Sequence, residues 1–213
     1  MVRAEKKQLT RQALLNAALD LMESGRGFCS LSLREVTRQT GIVPAAFYRH
    51  FSDMDELGLA LVDEVSLTFR AAIRAVRHHE IELGGAIDAS VRIFLDHVDE
   101  HRRLFLFLAR EQYGGSPVVR QAIAAMGRQF IADLAADLIA APKLQHLSPV
   151  DIDILADLIV KTVFATVPEL IDPPRVDAPA HEDPKTRLIH KLRFIMIGAK
   201  LWRGIAPPAE ASH

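Results

Sequence analysis

The 213-residue chain carries 26 Lys+Arg against 27 Asp+Glu and a single cysteine, Cys29. One cysteine excludes an internal disulfide, and the absence of an apolar run of about 18 residues or of a signal-peptide-like start leads us to expect a cytoplasmic protein without a membrane span. The net charge of −1 hides an asymmetry: residues 1–52 hold eight Lys+Arg and four Asp+Glu, a charge of +4, leaving −5 for the remainder, so the N-terminal segment is pointed at a polyanion.

Arg3, Lys6, Lys7 and Arg11 mark a polar arm that runs into a helix. Its Leu14, Leu15, Ala18, Leu19 and Met22 recur at three- and four-residue spacing, and it ends near Gly25 and Gly27. Cys29, between Phe28 and the apolar Leu31, reads as a buried structural thiol. Ser32 has the form of an N-cap for a helix with Leu33 and Val36 inward and Arg34, Thr37, Arg38 and Gln39 outward, stopped at Gly41. Pro44 suits a first helical turn, and the helix is expected to continue to Phe51, with Phe47 and Phe51 on the buried side. Two short helices broken by one glycine form a helix-turn-helix. Pro44 and Ala45 keep the entering backbone slim, while Tyr48, Arg49 and His50 offer donors to phosphates and base edges. With Arg11, Ser32, Arg34 and Thr37 they make up the expected DNA-contacting set.

Asp53 caps a long helix expected from Met54 to His79, with Leu57, Leu61, Val65, Phe69, Ile73 and Val76 on one side and Gly58 as a weak spot. No linker composition precedes it, so it reads as a lever between a DNA-binding domain, residues 1–52, and a larger domain, residues 53–213. Gly84-Gly85 resets the chain before a helix carrying Ile87, Val91, Phe94, Leu95 and Val98. His101 to Tyr113 is apolar all round and expected to be wrapped by other helices. Gly114 to Pro117 opens a helix of about six turns, and Ser148-Pro149 opens another. Asp172 to Pro184, with four prolines, reads as a loop, and a last helix carries Leu188, Leu192, Ile195, Ala199 and Trp202. The sum is an all-α protein of about nine helices.

Three constellations bear on function. His97, Glu100 and His101 match H-x-x-E-H, the pattern of a zinc-peptidase group, but no third ligand is placed and surface histidines are the expected reading. Phe94, Leu104, Phe105, Phe107, Leu108, Phe130, Leu134 and Phe164 are enough to line an apolar tunnel. Leu155, Ile159 and Val163 with Leu188, Leu192, Ile195 and Trp202 give two helices more apolar than one small core needs, which suits dimerisation of a reader of palindromic DNA.

The run SLREVTRQTGI followed by AAFYRHFSDMDEL resembles the DNA-binding domain of the TetR family of bacterial transcription regulators. The stretch through DELGLALVDE looks like the subgroup controlling unsaturated fatty acid synthesis, the FabR and DesT types, the DesT type more closely. The resemblance covers roughly the first 65 residues. It implies a repressor that binds a palindromic operator as a homodimer, has no cofactor or metal, and answers long-chain acyl-CoA, saturated and unsaturated chains favouring different DNA-binding states. The coenzyme A phosphates would then meet some of Arg74, Arg77, Arg102 and Arg103. Many members carry lysine where this chain has Met54, so a family phosphate contact is not expected there. A regulator of an efflux or catabolic operon answering another hydrophobe is the other reading of the same resemblance.

Overall fold

Capping residues and glycines set the helix ends. The computed structural model describes residues 3–78, 86–171 and 183–204. In chain order these form α1 (Arg3–Glu23), a 3₁₀ turn (Phe28–Ser30), α2 (Leu33–Thr40), α3 (Pro44–Phe47), α4 (Met54–His78), α5 (Ala86–Glu100), α6 (Arg102–Glu111), α7 (Pro117–Ile139), a second 3₁₀ turn (Pro142–Leu144), α8 (Pro149–Ile171) and α9 (Pro184–Leu201). No strand occurs among the described residues, in keeping with the expected all-α class.

At α2 the Ser32 hydroxyl accepts from the Glu35 N–H while the Glu35 carboxylate accepts from the Ser32 N–H, a capping box, and Gly41 closes the helix at φ 70°. Ser116 and Asp183 accept from the third backbone N–H of α7 and α9, each helix having proline at its first position. Asp183 and Pro184, expected in a loop, therefore cap and begin α9; residues 172–182 of that loop, like Gly84-Gly85, lie outside the described residues. Two further readings need correction. Helix α3 is four residues long rather than reaching Phe51, because the Arg49 and His50 N–H groups bond to carbonyls three residues back and tighten the chain into a turn. Cys29 is exposed, since Phe28 takes the inward position of its 3₁₀ turn. Partial desolvation and the Glu111 and Asp55 carboxylates raise the Cys29 thiol pKa, the reverse of a reactive thiolate.

The main core runs without a break from Leu14, Leu15 and Met22 of α1 through Phe47 and Phe51, along α4, and on to Leu188 of α9. Helix α7 packs on α4 and α8, α9 packs on α8 and α5, and α6 touches α1, α4 and α8. Phe105, Leu106, Phe107 and Leu108 are all buried, as the apolar circumference of α6 predicts.

Candidate nucleic-acid interface and ligand cavity

The outer face of the α2–α3 unit presents Arg34, Arg38, Gln39, Pro44, Ala45, Tyr48 and Arg49 to solvent. Ser32 is exposed but its hydroxyl is occupied in the capping box, with Arg26 and Ser32 together holding the Glu35 carboxyl down at about 2. Thr37, expected outward, is 1 % exposed: its hydroxyl donates to the Leu33 and Arg34 carbonyls, which satisfies it within the helix and leaves its methyl in the core. Met54, where the family pattern has lysine, packs against the core.

Arg11 of α1 lies over the Phe51 ring, 4.7 Å from its centroid, which brings a cation beside Arg49 and His50. His50 is half-buried, its Nδ1 has no hydrogen-bond partner, and burial followed by the charges of Lys7, Arg11 and Arg49 lowers its pKa. A phosphate seated among these cations would offset their repulsion and raise the bound-state pKa. DNA binding then takes up a proton, and affinity rises as pH falls through the bound and free values of His50. At fixed salt, lowering pH from about 7.5 to about 5.5 is expected to strengthen DNA binding more in the wild type than in His50→Gln. Parallel pH profiles would remove His50 from the interface.

This unit is joined to the rest of the molecule along a seam. Arg103 of α6 pairs with Asp20, Arg110 donates to the Met22 carbonyl, and the Phe28 N–H donates to Glu111 Oε1 at 2.8 Å. Glu111 is buried, with its second oxygen unpartnered. The Phe28 and Phe107 rings meet edge to face at 5.9 Å, and the Ser116 hydroxyl donates to Asp55 Oδ1 at 2.9 Å. The start of α4 is therefore gripped by the start of α7. These contacts place Arg103 at the seam. Arg102 is likewise engaged, on the Ile171 carbonyl; Arg74 is exposed, and the Arg77 side chain lies outside the described residues.

Above the seam is a cavity of about 340 Å³ between α4, α5, α7, α8 and α9. Phe94, Phe130 and Leu134 of the expected tunnel residues line it. Phe105 and Phe164 stand behind that wall, packing on Phe69, while Leu104, Phe107 and Leu108 belong to the core around α6, Phe107 facing the seam. Phe69 and Ile73 of α4 complete the lining with Val91, Val160 and Met196, and its polar members are Ser90, Asp133 and Asp137. Sequence reasoning also missed Arg70, which pairs with Asp133 at 2.8 Å across two helices and so left no local signal.

The expected dimer stripe requires correction. Leu155, Leu188 and Leu192 are buried in the protomer, and Ile159, Val163, Leu188 and Leu192 line the cavity. Both helices are apolar on two sides, and of the stripe chosen from period Ile159, Val163, Leu188 and Leu192 face the cavity, while Leu155, Ile195 and Trp202 line an outer groove. The outer side carries Ile154 and Leu158 of α8 with Phe194, Ile197 and Leu201 of α9, all exposed. Between them runs a groove that includes Ile195 and Trp202, the indole donating to Asp151. His97, whose Nδ1 meets the Ile93 carbonyl, and His101 flank the α5–α6 break, and among the described residues no cluster of His, Cys, Asp or Glu could hold a metal.

Comparison with known proteins agrees with this anatomy. The model of the bacterial regulatory proteins, tetR family, matches residues 14–61, and that of the tetracyclin repressor-like C-terminal domain matches residues 83–198. The chain belongs to the TetR family. It is thus a DNA-binding transcriptional regulator and not an enzyme. Among solved structures, a TetR-family regulator from Syntrophomonas wolfei is 15 % identical with a TM-score of 0.70, over 92 % of this chain and 96 % of that one. FadR from Bacillus subtilis in complex with stearoyl-CoA is 13 % identical, TM-score 0.64, over 89 % and 97 %. AibR in complex with isovaleryl coenzyme A and operator DNA is 16 % identical, TM-score 0.55, over 88 % and 96 %. At these identities the likeness is one of fold. No helix among the described residues of this TetR-family regulator is long and apolar enough to cross a membrane.

Proposed function

We propose that this TetR-family regulator is a cytoplasmic homodimer on a palindromic operator, that long-chain acyl-CoA in the cavity sets its DNA affinity, and that it represses genes of unsaturated fatty acid synthesis. Residues 1–52 are its DNA-binding part and 53–213 its ligand and dimer part. The observation that carries the reading is that α4 walls the cavity with Phe69 and Ile73 and, about four turns before Phe69, is held at Asp55 by the start of α7. Two fold relatives with acyl-CoA bound support the ligand class.

Burying a 16-carbon chain gains on the order of 12 kcal/mol whether the chain is saturated or not, so hydrophobicity cannot tell the two apart. Shape can, because a cis double bond bends the chain. A 100-fold preference of each ligand for one conformation, about 2.7 kcal/mol, suffices to shift the spacing of two recognition helices that must stay near one duplex turn, roughly 34 Å. A half-open cavity of about 340 Å³ lies in the range of small-ligand sites, and it suits the smaller hydrophobe of the second reading as well as part of an acyl chain.

The test is fluorescence anisotropy of a fragment of the protein's own promoter at fixed salt, without ligand and with hexadecanoyl-CoA or its cis-unsaturated counterpart. The expected result is a shift in affinity of opposite sign for the two; DNA binding indifferent to both leaves only the second reading. For the dimer, Phe194 at 82 % exposure is the most exposed apolar side chain of the α8–α9 face. The variant Phe194→Asp is expected to run as a monomer in light scattering and to lose roughly 100-fold in operator affinity, since the second half-site no longer binds intramolecularly. A variant that remains dimeric would move the interface elsewhere.

A further inference from the structure

We propose that the Arg70 guanidinium, paired with Asp133 of the cavity lining, receives the anionic head of the ligand in place of that carboxylate. The inference rests on the cavity being the effector site, as proposed above, and adds what that site reads besides the chain.

The cavity is apolar apart from Ser90, Asp133 and Asp137, and at Asp133 the lining carries the ion pair with Arg70. Two charges of opposite sign meet there, and their hydrogen bonds decide which can accept a ligand. Both Asp133 oxygens have a partner: Oδ2 accepts from Arg70 and Oδ1 from the Gln129 amide, each at 2.8 Å, and Asp137 is engaged as well. Arg70 gives one hydrogen bond from a guanidinium with five N–H donors. Its plane also lies by the Phe130 ring, 5.4 Å to the centroid, so it is held at the edge of the apolar wall with spare donors. Arg74, exposed one turn further along α4, adds to the positive side. The larger unused hydrogen-bonding capacity beside Asp133 is thus the guanidinium's, and it suits an anion.

Displacement is easy on the protein's side. The Arg70–Asp133 pair is half-exposed, a setting in which ion pairs contribute little, and a released Asp133 keeps Gln129 and reaches water. The exchange breaks a bridge between α4 and α7 and replaces it with one between α4 and the ligand. A head at Arg70 thus acts on the same helix that Phe69 and Ile73 present to the chain.

The head could be a free carboxylate or the anionic arm of an acyl thioester of coenzyme A. Calorimetry on the full chain with dodecanoate, dodecanoyl-CoA, dodecanol and dodecyltrimethylammonium separates the cases at one chain length. The wild type is expected to prefer the anions to the cation. Arg70→Gln is expected to weaken anion binding about tenfold, the scale of one charge-assisted hydrogen bond, while dodecanol stays within about twofold. Dodecanoate alone responding identifies a carboxylate receptor, and dodecanoyl-CoA responding identifies the coenzyme A arm. Asp133→Asn, which frees Arg70 and keeps the Gln129 contact, is expected to tighten anion binding and serves if Arg70→Gln does not fold. Preference for the cation, equal loss for dodecanol in Arg70→Gln, or no binding of any probe overturns the proposal. Promoter binding measured on the same ligand-free protein stands apart: its loss would sink the operator reading while leaving the head receptor intact.

Discussion

Replacing Gly58 by valine is expected to destabilise the protein by about 2–3 kcal/mol, the upper part of the range for overfilling a packed core. A Cβ at this position would lie 2.6 Å from Val119 Cγ2 and 2.9 Å from the Phe28 ring, both buried side chains with no free space to retreat into. Helix propensity argues the other way for alanine, which gains about 1 kcal/mol over glycine inside a helix. The two effects can be weighed: the contact is too short for either neighbour to absorb by a small shift, so alanine also comes out destabilising, by about 1 kcal/mol net. Urea unfolding followed by circular dichroism measures both variants. A Gly58→Ala protein more stable than the wild type would show that α4 and α7 separate freely. Because Ser116 and Asp55 tie the same two helix starts together, wedging them apart is also expected to weaken operator binding and its response to ligand.

Gly58 marks what the sequence could and could not reveal. Periods of three and four, proline at helix starts and glycine at helix ends are local signals, and they located the helices of the described chain and the N-cap at Ser32. Glycine inside a helix looks like a flaw until the neighbouring helix is known, since the reason for it is Val119, 61 positions away. Thr37 failed for a related cause: threonine is polar by type but can satisfy its hydroxyl on its own helix and then behave as a core residue. The helices α8 and α9 carry apolar residues on two sides, so period alone cannot say which side faces the cavity and which faces solvent. Likewise a run such as Leu104 to Leu108 predicts burial without saying against what. Phe105 and Phe107 differ by two positions, yet one packs on Phe69 and the other on Phe28. Ion pairs across helices, such as Arg70–Asp133, leave no local signal at all.

Truncating Phe69 to alanine is expected to have the largest effect of any single change. Its ring stands 4.6–6.2 Å from those of Phe94, Phe105, Phe130 and Phe164, making it the common member of the aromatic cluster that forms the cavity wall. Loss of a buried phenylalanine costs about 3–5 kcal/mol, against a total stability of about 5–15 kcal/mol, so the variant remains folded at 25 °C by a reduced margin. For a chain of this size each kcal/mol lowers Tm by about 2–4 °C, and a fall of about 10 °C is the central expectation. The space released joins the existing cavity rather than closing, because Phe69 already lines it. A ligand that fills the enlarged cavity should therefore restore more of the lost Tm than the same ligand adds to the wild type, with longer acyl chains restoring more than shorter ones. If no acyl ligand recovers any stability while the wild type responds normally, the Phe69 side of the cavity is core and the chain lies elsewhere along α7 and α8. Recovery of stability without recovery of ligand-dependent promoter binding would instead locate in the Phe69 ring itself the step by which the chain moves α4.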